Sequence, residues 1–268
     1  MQKLIIVTGV LYSELCYIKE WINFYLSQGV SYIYIYVMYK DKKSNNQLFF
    51  NYNLKYKNDS RIKLIHINFY NYCVIKDFVK NYNKYYNNNY WVSFLDIDEF
   101  LYSPLKNRKL IHLIEYYEFK KIYAVSVNWL CFGSNNLINK PNSVLTSFTK
   151  CSHKYNRINC PTKSLVKCSI IDTPKIITLT NSHKIPIKTN YNYFNSLGKI
   201  LNKCTGVFRF EPQKNPYLLI NHYIIKSKNE YLNKINNNPN RRDRYNINQF
   251  NEFNKYLNEN KNTDILSN

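Results

Sequence analysis

Glycine is scarce in this chain, five residues in 268, and no two of them form a G-x-G pair. That excludes the glycine-rich loops that cradle a dinucleotide, and no G-K-[ST] follows a strand to make a P-loop. Cysteine is present seven times, but without a C-x-x-C pair and at irregular spacing. An odd, irregular set excludes a disulfide framework and argues against a zinc site, even at Cys151, His153 and Cys160. The thiols read as small buried hydrophobes in a reducing compartment. Long apolar runs are absent, and residues 2–7 are too short for a secretion signal. The expectation is a soluble, cytoplasmic protein, at most peripheral to an anionic membrane.

Acidic residues are also few, 17 against 38 Lys and Arg, giving a formal charge of +21. Such a charge suits a polyanion: nucleic acid, an anionic membrane surface or a phosphorylated substrate. The lysines are scattered, however, and only Arg241-Arg242-Asp243-Arg244 is a dense basic run. The abundance of Asn, Lys, Ile and Tyr also matches the output of an A+T-rich genome. No specific nucleic acid is therefore expected. Hydrophobic residues make up 45% and aromatics 17%, enough for a substantial core.

Apolar runs at Lys3–Thr8, Val30–Met38 and Arg61–Ile67 read as strands, the first ending at Gly9. Between the first two, Ser13 is placed to cap a helix carrying Leu15, Ile18, Ile22, Tyr25 and Leu26, with Gly29 closing it. Helices are also expected around Gln47–Tyr56, over Val74–Tyr86, Leu110–Phe119 and Lys228–Ile235, and strands at Ala124–Trp129 and Leu218–Lys226. Residues 137–214 are irregular and broken by prolines. The alternation over the first hundred residues predicts an α/β fold, a mostly parallel sheet flanked by helices, with a smaller irregular portion after it.

One stretch concentrates acid at the end of such a strand: Trp91-Val92-Ser93-Phe94-Leu95-Asp96-Ile97-Asp98-Glu99-Phe100-Leu101. On an extended chain, Asp96 and Asp98 would share a face while Ile97 turned to the core. A D-x-D alone is more often a solvated strand end than a ligand site. At the carboxyl edge of a parallel sheet, where ligands bind, two like charges ask for a cation, and hard oxygen ligands suit Mg²⁺ or Mn²⁺.

Five ordered segments resemble the motifs of family 92 glycosyltransferases, nucleotide-sugar-dependent enzymes of the GT-A-type, Rossmann-like fold. They are Glu14 to Ile22 with Gln28-Gly29-Val30, then Trp91 to Leu101 (W-x-x-F-x-D-x-D-E-F), and Asn128 to Ser134 (W-x-x-F-G-S). Lys163-Ser164-Leu165-Val166 with His183 and Ile220 to Ser227 (N-H-Y-x-x-K-S) complete the set. The match spans roughly residues 4 to 235. It departs from the family at Tyr12-Ser13, Tyr25 and Tyr36-Val37-Met38, positions near the nucleotide in such folds. The resemblance implies one domain over 1–235, with a nucleotide-binding half (1–101) and an acceptor-side half (102–235), and a polar tail, partly helical or flexible, over 236–268.

It further implies transfer of a hexose from a nucleotide sugar, UDP-linked by expectation, to a glycan or protein-linked acceptor, with inversion. Asp96, Asp98 and His222 would hold Mn²⁺ (or Mg²⁺), which would neutralise the leaving diphosphate. Glu14, Asp96 and Lys226 would contact the nucleotide, and Trp129, Phe132, Gly133 and Ser134 the acceptor sugar. An inverting transfer needs a carboxylate base, for which Glu211 is the candidate. Two other readings stand beside this one: a basic nucleic-acid-binding or nuclease-like protein, and a module that keeps the fold and binds sugar nucleotide without catalysis.

Overall fold

The computed structural model describes residues 2–39, 55–68, 73–82, 89–176, 183–201, 209–236 and 246–267. The helix expected near Gln47–Tyr56 therefore lies, save its last two residues, outside the described residues, as does Arg241–Arg244. The expected fold class is the observed one, a mixed α/β protein with a mostly parallel sheet. The chain forms two compact units that interleave along the sequence: 1–97, 109–127 and 162–208 in the first, 98–108, 128–161 and 209–268 in the second.

In the first unit, strands β1 (Lys3–Leu11), β2 (Tyr32–Tyr39), β3 (Ile62–Asn68) and β4 (Tyr90–Phe94) lie in the order β3-β2-β1-β4, all parallel. Ile5, Ile6, Val7, Ile33, Ile35 and Val92 have no exposed surface. Such strands read as continuous apolar runs because a parallel sheet is covered on both faces. Helices α1 (Ile18–Ser27), α2 (Val74–Asn81) and α3 (Leu110–Phe119) accompany them, the latter two packing on β1. Helix α1 ends as its sequence predicts. Gly29 has φ +81°, and Val30 N–H bonds to Tyr25 O while Gly29 N–H bonds to Leu26 O, which satisfies two terminal carbonyls.

Two boundaries differ from expectation. Strand β1 runs through Gly9 to Leu11, because the glycine leaves room: a Cβ there would sit 3.0 Å from Val74 and 3.2 Å from Met38. Two turns of 3₁₀ helix (Tyr12–Tyr17) then replace the expected helix start, and α1 begins without a side-chain cap. Strand β8 (Thr162–Lys167), antiparallel to β4, comes from the region expected to be irregular. Its buried Thr162, Lys163 and Ser164 break the apolar pattern that marks a strand.

Strand β6 (Ala124–Cys131) starts in the first unit, where the short β9 (Phe194–Asn195) pairs with it in parallel, and ends in the second. There β10 (Leu219–His222) pairs with it in parallel and with β5 (Glu99–Tyr102) antiparallel. Residues 246–267 form part of this unit. Helix α5 (Ile247–Leu257) buries Phe250 and Leu257 with Cys131, Ile225 and with Tyr231 and Ile235 of helix α4 (Lys228–Asn236). Past it, β11 (Asn260–Lys261) pairs with β7 (Lys150–Cys151).

Burial pushes the thiols of Cys151 and Cys168 up to about 12, and raises that of Cys131 as well. These three should resist alkylation in the native protein at mildly alkaline pH while the exposed Cys16 reacts at once. A thiol titration with and without denaturant checks this.

Candidate functional site

The acids of Asp96-Ile97-Asp98 do not share a face. Strand β4 stops at Phe94, so the alternation that would align them ends before they begin. Ile97 and Asp98 are both buried, while the Asp96 side chain is 60% exposed. Each carboxylate instead has its own lysine.

In the first unit, Lys163 Nζ lies 2.9 Å from Asp96 Oδ2, and that lysine is itself buried on β8. The segment around it is fixed from several sides. Ser93 Oγ donates to Ser164 O at 2.9 Å, and Ser164 Oγ donates to His183 O at 2.9 Å. His183 Nδ1 lies 2.9 Å from Thr162 O. The Trp91 indole donates to Glu118 at 2.7 Å, and Lys167 pairs with the other oxygen of that carboxylate at 2.8 Å. Glu14 sits half-buried in the 3₁₀ turn beyond the carboxyl end of β1.

In the second unit, Asp98 stands among cationic groups. Its Oδ2 is 3.3 Å from Lys234 Nζ and its Oδ1 is 3.8 Å from His222 Nε2. Burial by itself would push the carboxyl up. The positive charges of Lys234, His222 and Lys226 together outweigh it and hold Asp98 well below the usual carboxylate range. Lys226 is buried at φ +52°, a left-handed conformation that costs a non-glycine residue about 1–2 kcal/mol. His222 is held on β10 opposite the fully buried Glu99 of β5, with the Trp129 ring edge-on at 4.3 Å.

The ligand set expected for Mn²⁺ is thus not assembled. Among the described residues, no three of His, Cys, Asp and Glu come together as a metal-holding group. The carboxylates of Asp96 and Asp98 are ion-paired to Lys163 and Lys234. Asp98 and His222 do meet, at 3.8 Å, in the company of ammonium groups.

Trp129 lines a cavity of about 380 Å³ in the second unit, together with Lys154, Gln213, Asn215, Asn262 and Asp264. Phe132, Gly133 and Ser134 line no part of it. Phe132 is buried against Tyr223, with ring centroids 4.8 Å apart. The N–H and Oγ of Ser134 both donate to Asn254 Oδ1, at 3.1 and 2.5 Å, and Asn135 N–H donates to Asn258 at 3.1 Å. A side chain on Gly133 would collide with Asn258 and with Leu257 O. This loop is therefore a socket for α5. Glu211 is exposed and does not line the cavity, although its neighbours Pro212 and Gln213 do.

No family model and no curated protein matches the chain. Among solved structures, a 4-diphosphocytidyl-2C-methyl-D-erythritol synthase is similar at 11% identity over 68% of this chain and 82% of that one, with a TM-score of 0.38. S. aureus TarS 1–349 is similar at 12% identity over 63% of this chain and 48% of that one, at 0.30. Its complex with UDP gives 12% identity, 63% and 47% coverage, and 0.29. The chain spans about half the length of that TarS fragment. At these scores the function has to be read from the chain's own residues.

Asp96, Asp98, His222 and Lys226 stand out in the sequence. Lys234 does not: it is one of 38 basic residues and lies outside every motif. Lys163 stands inside a motif, but nothing in the sequence pairs it with Asp96. No helix among the described residues is long and apolar enough to cross a membrane.

Proposed function

We propose that this protein is a glycosyltransferase that takes a hexose from a nucleotide sugar, of which a UDP-linked one is the first candidate, and passes it to a glycan or protein-linked acceptor. The observation that carries this reading is the meeting of motifs far apart in the chain. Asp98 of the acidic stretch contacts His222 of N-H-Y-x-x-K-S, and Trp129 of W-x-x-F-G-S packs on that same imidazole. Asp96 of the acidic stretch meets Lys163 of K-S-L-V, whose neighbouring residues hold His183. Within each unit, strand pairing brings residues of separate motifs into contact, which supports the reading.

The chemistry suits the reaction. As the sugar departs, charge grows on the leaving diphosphate, and fixed cations aimed at it stabilise the transition state more than the ground state. Lys226, Lys234 and His222 supply such cations, and Asp98 holds them in place. The Trp129 cavity is suited to an acceptor sugar: an aromatic face for the apolar side of a ring and amides for its hydroxyls. Within it Asp264 is a carboxylate placed as Glu211 is not, and it replaces Glu211 as our candidate base.

A thermal-shift screen of nucleotide sugars tests the proposal, because a cognate donor stabilises only the folded protein. One donor class should raise the melting temperature in proportion to the logarithm of its concentration. The charge of +21 sustains the nucleic-acid reading as the alternative. That reading would be favoured if no nucleotide sugar stabilised the protein while RNA or DNA bound with an affinity falling steeply with salt.

A further inference from the structure

We infer that Lys234 occupies the place of a divalent cation at Asp98, and that this protein grips the diphosphate of its donor without a metal. The inference rests on the glycosyltransferase reading and adds to it what neutralises the leaving group.

Three observations lead there. Asp98 Oδ2 is engaged by Lys234 at 3.3 Å, with His222 Nε2 3.8 Å from the other oxygen, so an ion bound through Oδ2 would have to displace an ammonium group or sit beside it. A divalent ion at that distance from Lys234 and Lys226 would be repelled by both. Lys234 also presents a part-exposed ammonium group beside Asp98, a charge that a diphosphate would meet.

Lys234 is also held in position by local sequence. Ser227 and Glu230 form one half of a capping box at the start of α4, the Ser227 Oγ donating to Glu230 at 2.6 Å and its N–H to the same oxygen at 3.3 Å. That fixes the phase of the helix, and with it the side on which Lys234 emerges two turns later. The Lys234 side chain is 39% exposed. It can therefore hold Asp98 and still be reached by an incoming anion. The other acid of the pair is also ion-paired to a lysine, the buried Lys163 at Asp96.

The test measures UDP and inorganic diphosphate binding to the full chain by calorimetry, in excess chelator and in Mn²⁺, with Mn²⁺ binding followed separately by paramagnetic resonance. The wild type should bind UDP with a Kd that differs by less than about twofold between the two conditions, and should leave the Mn²⁺ signal that of the free ion. Lys234→Ala should weaken UDP binding by about 10- to 100-fold in chelator, the worth of a charged hydrogen bond. It should also regain affinity with Mn²⁺, because Asp98 Oδ2 is released. Lys234→Arg, which keeps the charge, should bind in chelator and covers the case in which the alanine variant does not fold. UDP binding by the wild type only when Mn²⁺ is present would overturn the inference and leave the glycosyltransferase reading standing. Absence of nucleoside diphosphate or diphosphate binding in both conditions would overturn that reading, and the inference with it.

Discussion

Asp98→Ala should lower the stability of the protein by about 3–5 kcal/mol, the usual consequence of removing one partner from a buried ion pair. The carboxylate is 4% exposed and ion-paired to Lys234 at 3.3 Å, so the variant removes the buried member of that pair. Denaturant unfolding measures the loss. The same pair predicts how stability responds to acid. The folded-state value of Asp98 lies below that of the unfolded chain, near 3.9 for an aspartate. Its contribution is therefore complete above that pH and is lost as the pH falls from there towards the lower folded value. Wild-type stability should decline on acidification below about pH 4 more steeply than that of Asp98→Asn, which has nothing to protonate. Equal slopes for the two proteins would show that Asp98 is not the paired group described.

Removal of residues 237–268 should prevent the second unit from forming. The sequence reads as a polar extension there, and on that reading the truncation would cost little. In the structure, α5 contributes Phe250 and Leu257 to a cluster with Cys131, Tyr231 and Ile235, and its Asn254 and Asn258 hold the backbone of the loop at Ser134 and Asn135. Leu257→Ala by itself should cost about 2–5 kcal/mol, as for other fully buried leucines. Of the three tryptophans, Trp21 and Trp91 are fully buried in the first unit, and Trp129 is the half-buried one of the second. Fluorescence quenching of Trp129 therefore reports on the second unit. Quenching should rise sharply in the truncated chain. An unchanged quenching profile would mean that the helix is dispensable.

The parallel half of the fold was legible because each of β1, β2 and β4 is a short run of β-branched and aromatic residues separated by helical spacing, and the Gly29 stop was legible because only its φ permits that turn. Strand ends were less so. Nothing in the sequence says that Val74 and Met38 close over Gly9 and let β1 continue, or that β4 stops two residues short of Asp96. Helix α5 has its signal in Ile247, Phe250, Phe253 and Leu257 at helical spacing, masked by the asparagines among them and the Asn/Arg-rich stretch before them. The acids of the site could be found because acids are few in this chain. The lysines that answer them could not, because lysines are everywhere, and only packing selects Lys163 and Lys234.

The most direct measurement is the release of nucleoside diphosphate from a panel of nucleotide sugars by the full chain, followed by chromatography with and without a mixture of oligosaccharide acceptors. The account predicts that one donor class is consumed, that Lys226→Ala and Lys234→Ala each slow its consumption at least tenfold, and that Trp129→Ala suppresses the acceptor-dependent part while leaving slow donor hydrolysis. No release from any nucleotide sugar, by a folded protein that binds none of them, would contradict it.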